Sequence, residues 1–137
     1  MRIIVTGGSG YIGSHVGRLL AERGDVPIVV DDFANGVRKR VERFAQYELD
    51  LADSTSATPL ALIMRNERAD AVVHFAALKR VDESVQHPLL YMRKNLSSLA
   101  TVLEAMRLAG LRDLVFSSSA AVYGDADGVV TETASTV

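Results

Sequence analysis

A parallel α/β sheet wound on both faces is the fold class this sequence predicts, and three observations carry the prediction. Short apolar runs alternate with longer stretches of helical periodicity, the pattern that yields parallel strands joined by right-handed crossovers. The first run, Ile3-Ile4-Val5, leads directly into Thr6-Gly7-Gly8-Ser9-Gly10-Tyr11-Ile12-Gly13, a strand that turns into a helix through glycine. The second run, Ile28-Val29-Val30, ends in Asp31, 18 residues after Gly13.

The elements follow in chain order. A strand is expected over 2–6. Gly8, Gly10 and Gly13 fit Gly-x-Gly-x-x-Gly, while Gly7, Gly10 and Gly13 fit its wider-spaced variant. In that variant Gly7 supplies a tight turn with φ > 0, Gly10 lets bare backbone approach a ligand, and Gly13 lets the new helix lie close to the strand. Val16, Leu19 and Leu20 then recur at helical spacing until Gly24 stops the helix. A second strand is expected over 27–31, with Pro27 marking its start and not its centre. A third is expected over 45–48. Thr58-Pro59 reads as an N-cap with proline at the first helical position, opening a helix that runs to about Asn66. A fourth strand over 71–75 precedes a helix that begins near Pro88 and stops at Gly110. Its stripe Leu96, Leu99, Leu103 and Met106 is expected to be core, with no cofactor role. A fifth strand is expected over 113–117. After Gly124 the chain turns polar and offers no further strand or helix to seal the sheet, so truncation is expected, with a cut sheet edge that exposes apolar surface and favours association.

Chemistry follows from the glycine segment. Unpaired N–H groups at a helix start, with the helix dipole behind them, favour an anion by about 0.3 to 1 kcal/mol per charge at an exposed site. A carboxylate at the offset of Asp31 suits an adenosine ribose. Strand, glycines, helix, strand and acid stand in the order that dinucleotide binding requires.

Composition narrows the field. At 137 residues and 48% hydrophobic, the chain suits one domain with one core. A net charge of −2 provides no positive excess for a nucleic-acid backbone or an anionic membrane. The absence of cysteine excludes disulfides, thiolate metal sites and a cysteine nucleophile, and fits a reducing compartment. No apolar run approaches the length of a membrane span or of a signal-peptide core, so a soluble cytoplasmic protein is expected.

Three further segments sharpen the reading: His74-Phe75-Ala76-Ala77-Leu78-Lys79, Glu83-Ser84-Val85-Gln86, and 116–124, Phe-Ser-Ser-Ser-Ala-Ala-Val-Tyr-Gly. With the glycine segment they closely resemble the UDP-glucose 4-epimerase family, a branch of the extended short-chain dehydrogenases. The resemblance runs the length of the chain yet covers less than half of a family member. It implies a Rossmann-type doubly wound sheet, truncated before the C-terminal substrate part, so that residues 1–137 form an incomplete NAD-binding domain. It also implies NAD as cofactor, a UDP-sugar as substrate and, at full length, a homodimer.

In the family, NAD takes hydride from C4 of the sugar and returns it to the other face. Carried over by position, Gly7, Gly10, Tyr11, Ile12 and Gly13 would contact the pyrophosphate, Asp31 the adenosine ribose, and Asp50-Leu51 the adenine edge. Asp32, Asn35 and Gly36 would join the cofactor site after the second strand. Phe75, Ala76, Ala77 and Lys79 would line the middle of the cofactor, with Asn95 and Ser117 beside them. Ser119 matches the family's catalytic serine, which hydrogen-bonds the reacting hydroxyl. The residues alone say less: a serine after a buried strand often only caps loose backbone groups.

Removing hydride from a carbinol carbon also requires a base for the hydroxyl proton. The family uses a tyrosine with a lysine four positions on. Here Tyr11, Tyr47, Tyr91 and Tyr123 are followed at that distance by His15, Leu51, Asn95 and Asp127. The chain as it stands is therefore expected to bind NAD without turning over substrate. Where the family commonly shows Asn-Asn, this chain has Lys94-Asn95, which puts a cofactor contact at 94 in doubt. Asp25 and Pro27 also depart from the usual run, tolerably at an edge.

Weighed singly, Lys79 is favoured as a cofactor or substrate cation. Arg38-Lys39-Arg40 is read as a solvated helix face, because Asp31 and Asp32 would repel the extra phosphate of NADP. His74 reads as a satisfied core histidine, His15 and His87 offer no metal spacing, and Asp125 and Asp127 read as loop residues. No zinc-protease, serine-hydrolase or P-loop motif is present. Three readings stay open: the nucleotide-binding part of a UDP-galactose/UDP-glucose epimerase, a related nucleotide-sugar dehydratase or epimerase, and a short noncatalytic NAD-binding module.

Overall fold

The computed structural model describes residues 1–124 and 128–136. Asp125 and Asp127, expected in a loop, lie outside the described residues. Five parallel strands, β1 (Arg2–Thr6), β2 (Val26–Asp31), β3 (Ala45–Glu48), β4 (Ala71–His74) and β5 (Asp113–Phe116), form one sheet in the order β3-β2-β1-β4-β5. Helices α1 (Tyr11–Glu22), α2 (Ala57–Asn66), α3 (Val81–Gln86) and α4 (Pro88–Ala109) connect them. The strand order reverses between β1 and β4, and such a reversal leaves a crevice at the carboxyl ends of the strands.

The central strands are continuous apolar runs because both of their faces are covered. Ile4 pairs in register with Ile28 on one side and Val72 on the other. These side chains, with Val30, meet Leu60, Ala61 and Met64 of α2 and Val102, Ala105 and Met106 of α4. Pro27 is the second residue of β2, and pairing with β3 begins only at Ile28, so its missing N–H breaks no bond on that side. β4 and β5 each end one residue earlier than expected. The Phe75 and Ser117 amides still donate to Thr6 and His74 before the chain leaves the sheet.

The helices correct three expectations. α1 is buried through Gly13, Ser14 and Gly17, while Leu19 is exposed. The missing side chains let the helix approach the sheet closely, and Gly17 lies against Phe44 and Pro27. α2 begins at Ala57 with Ser56 at its N-cap, two residues before the expected start. Asp53 accepts from the Thr55 amide at 2.8 Å and starts a 3₁₀ turn that runs into the helix. Pro59 thus falls in the first turn, where N–H groups lack helical partners anyway.

The stripe expected as core on α4 instead faces outward: Leu96 and Leu103 are 62% and 48% exposed, Leu99 is half-buried, and only Met106 is buried. Small residues, Ser98, Thr101 and Ala105, with Val102 take the inner face, because close packing of α4 on α2 leaves little room for leucine. The helix ends as expected. Gly110 adopts φ 79°, and the Leu111 amide reaches back to the Met106 carbonyl at 2.9 Å in a Schellman closure.

On the edge strand β5, Val115 and Phe116 are exposed. No helix among the described residues is long and apolar enough to cross a membrane.

Candidate functional site

A crevice of about 750 Å³ opens at the carboxyl ends of the strands and is lined by every loop that leaves them. Its floor begins at the β1–α1 turn. Gly7 adopts φ 66°, and a Cβ there would stand 2.7 Å from the Ala76 amide, so only glycine lets this turn meet the loop after β4. Gly13 is confined in the same way, since a Cβ would run into the Gly7 carbonyl. Gly8 packs against Val29 and does not reach the crevice, whereas Gly7, Gly10 and Gly13 do. The wider glycine spacing is the one the fold uses.

Gly10 is the N-cap of α1 and supplies no side-chain cap, and the first turn carries no acid. The amides of Tyr11, Ile12 and Gly13 find no acceptor among the described residues. Three donors and the positive end of a 12-residue helix therefore face the crevice. A pyrophosphate fits this chemistry.

Asp31 lies at the end of β2 and is only 8% exposed, yet it borders the crevice. One carboxylate oxygen accepts from the Ser9 amide at 2.9 Å and the other from the Phe33 amide at 2.9 Å. Asp31 thus ties the glycine turn to its own strand, and each oxygen keeps a lone pair for a ribose hydroxyl. Asp32 accepts from the Ala34 amide at 3.0 Å, and Asn35 and Gly36 continue the wall. Val37 donates to the Ser9 carbonyl at 3.0 Å, pressing Gly36 onto the buried Ser9 hydroxyl. The basic triplet is exposed on a helical turn, as expected: Arg38–Val41 form a 3₁₀ turn whose one buried residue is Val41. Arg38 lies 3.6 Å over the Phe33 ring and pairs with Glu48, while Arg40 borders the crevice.

Asp50 and Leu51 follow β3. Leu51 is buried, and the Asp50 carboxylate accepts from the Ala52 amide at 2.8 Å and from Lys94 at 3.0 Å. Phe75, Ala76, Ala77 and Lys79 follow β4 along the middle of the crevice. Asn95 borders it too, but its amide pairs with backbone: Oδ1 accepts from the Leu78 N–H at 2.8 Å and Nδ2 donates to the Leu78 carbonyl at 3.0 Å. It clamps the loop that carries Lys79. His74 is buried, bonded through Nδ1 to the Thr6 hydroxyl at 2.7 Å and stacked on Phe116. Burial pulls its pKa down to about 4, so the ring is neutral near pH 7, as befits a satisfied core histidine.

Beyond β5, Ser117 and Ser119 close the crevice. Ser119 Oγ accepts from the Ala121 amide at 3.1 Å and caps a 3₁₀ turn, Ala120–Tyr123, while remaining exposed. Its capping role and its place in the crevice coexist. Tyr47 and Tyr91 are unsuited to act as bases. The Glu67 carboxylate that accepts from Tyr47, and chiefly burial for Tyr91, with Glu83 beside it, push both phenols above their ordinary range. Among the described residues no cluster of acids and histidines could hold a metal ion.

Sequence reasoning missed Arg40, Ser98 and Phe116 as wall residues and put a contact at 94 in doubt, whereas Lys94 borders the crevice. Phe116 was findable as the last residue of a strand that meets the crevice. Ser98 lies one helical turn beyond Lys94 and Asn95, a spacing that puts all three on one face.

The model of the NAD dependent epimerase/dehydratase family matches residues 3–137. The UDP-glucose 4-epimerase of Mus musculus is 42% identical over 135 residues, covering 90% of this chain and 39% of that protein. That of Klebsiella pneumoniae is 40% identical over 130 residues, covering 91% of this chain and 94% of that protein. A crystal structure of the enzyme from Stenotrophomonas maltophila, with bound NAD and formylated UDP-arabinopyranose, superposes with a TM-score of 0.89 at 42% identity, over all of this chain and 43% of that one. The chain thus spans about two-fifths of the length of the mouse protein and of the solved structure. Glycine turn, strand order and family match agree: the chain belongs to the NAD dependent epimerase/dehydratase family.

Proposed function

We propose that the chain is the NAD-binding part of a UDP-glucose 4-epimerase, which interconverts UDP-galactose and UDP-glucose by removing and returning hydride at sugar C4. The observation that carries this reading is the set of acceptor-free amides of Tyr11, Ile12 and Gly13 at the sheet's reversal point, with Asp31 beside them. NAD, when bound, supplies the site that accepts and gives back the hydride.

The chain's own residues bind and orient. The three amides hold the pyrophosphate, and Asp31 accepts from the adenosine ribose and repels a 2′-phosphate, which selects NAD over NADP. Asp32, Asn35 and Gly36 complete that end, and Asp50 and Leu51 meet the adenine edge. Phe75, Ala76, Ala77 and Ser117 border the nicotinamide half, with Lys79 held in place by the Asn95 clamp. Ser119 is placed to hydrogen-bond the reacting sugar hydroxyl, and the Tyr-x-x-x-Lys base that would take its proton is not among these 137 residues. The 137 residues hold no Tyr-x-x-x-Lys pair, so they form a binding domain of 1–137 that takes up the coenzyme without turnover.

The same reading makes the longer protein a cytoplasmic homodimer, and the outward-facing leucines of α4 are the surface that supports dimerisation. Titrating NAD into isotopically labelled protein and following amide resonances tests the coenzyme site. Tyr11, Ile12 and Gly13 should shift most. Shifts confined to residues outside the crevice would overturn the assignment.

A further inference from the structure

Lys94, like Asn95 and Ser98, reaches the crevice from α4 and not from a strand end. Its Nζ lies 3.0 Å from Asp50 Oδ2, joining α4 to the loop after β3 across 44 residues of sequence. The other Asp50 oxygen accepts from the Ala52 amide at 2.8 Å. Both partners border the main crevice, and both also border a smaller hollow of about 370 Å³ on the far side, together with Leu90, Arg93 and Ser97. The ion pair thus borders both hollows, with the Asp50 carboxylate held by Lys94 on one oxygen and by the Ala52 amide on the other.

We infer that Lys94 is a positioning residue that fixes the Asp50 carboxylate as the acceptor for the exocyclic amino group of an adenine base, and so sets base specificity at this end of the site. The inference rests on the coenzyme reading above. A carboxylate offers about four lone-pair directions. The Ala52 amide and Lys94 take one on each oxygen, which stops the group from rotating and leaves the rest as pure acceptors. An amino group at position 6 of the purine can donate to them. An oxo group there meets a carboxylate with nothing to donate, and is rejected.

The pair is about half exposed, with side chains 41% and 46% accessible, so its effect is modest and screened by salt. The test is calorimetric binding of NAD and of its hypoxanthine analogue to the wild-type chain, Lys94→Met, Asp50→Asn and the double variant. The wild type should prefer NAD. Lys94→Met should reduce that preference by about twofold to fivefold, the range of an exposed ion pair. Raising the salt should erode the preference in the wild type and leave that of Lys94→Met nearly flat. In the Asp50→Asn background the Lys94 change should have no further effect on the preference. A purely structural role would shift both ligands equally and leave their ratio alone. An unchanged ratio in Lys94→Met, with NAD still bound, would overturn the inference while sparing the coenzyme site. A wild-type chain that binds neither ligand would overturn the coenzyme reading and this one together.

Discussion

Replacing Asp31 with alanine removes the one carboxylate that ties the glycine turn to the end of β2. Two amides lose their acceptor, and the two losses differ in size. The Ser9 amide belongs to a residue with 0% exposure, so it cannot turn to water; a buried donor stranded in this way costs about 1 to 3 kcal/mol. Phe33 is half-buried, and its amide can recover part of its bond from solvent, a loss of about 1 kcal/mol or less. The sum is about 1 to 4 kcal/mol. For a domain of this size the melting midpoint moves by about 3 to 4 °C per kcal/mol, so the variant should melt roughly 3 to 16 °C below the wild type. Asp31→Asn keeps the volume and one acceptor oxygen, and should lose about half as much. Thermal unfolding followed by circular dichroism, without any coenzyme, reads the effect free of binding linkage. A midpoint for Asp31→Ala within about 2 °C of the wild type would show that the carboxylate does not anchor the turn.

Other positions give independent tests. His74 is kept neutral by burial, with a pKa of about 4 against 6.5 for the open chain. The unfolded state therefore binds the extra proton first, and stability that is complete above pH 6.5 is lost progressively as the pH falls toward 4. Between pH 7 and pH 5 this amounts to about 2 kcal/mol in urea unfolding, and His74→Asn should lose much less over that interval. Asn95→Ala removes both bonds to Leu78 and should weaken NAD binding about tenfold by loosening the loop that carries Lys79; an unchanged Kd would contradict the clamp. Gly13→Val forces a side chain onto the Gly7 carbonyl, and equilibrium dialysis should detect no NAD binding in protein that still has native circular dichroism.

Much of this fold was legible because its strongest signals are local. β1 and β2 are buried on both faces, so their apolar runs are unbroken, and Gly7, Gly10 and Gly13 are dictated by one turn and the helix it opens. Helical periodicity located α4 but chose the wrong face. Leucine spacing says that a helix is amphipathic, and it does not say that α4 lies so close to α2 that Ser98, Thr101 and Ala105 take the buried face. The same limit applies to α1, where Gly13 and Gly17 take the inner face and Leu19 is exposed. The crevice gathers the residues named from strand ends, because every strand points its carboxyl end there. What stayed hidden was long-range. The Asn95 clamp on Leu78 and the Lys94–Asp50 pair join segments 17 and 44 residues apart, and neither leaves a mark in local spacing.

The central claim is that free amides at the start of α1, with Asp31 beside them, form a coenzyme site. Isothermal calorimetry of the folded 137-residue chain with NAD tests it most directly. The account predicts saturable binding of one NAD per chain, much weaker binding of NADP, and no heat from Gly13→Val. Folded wild-type protein that gives no saturable heat with NAD would contradict it.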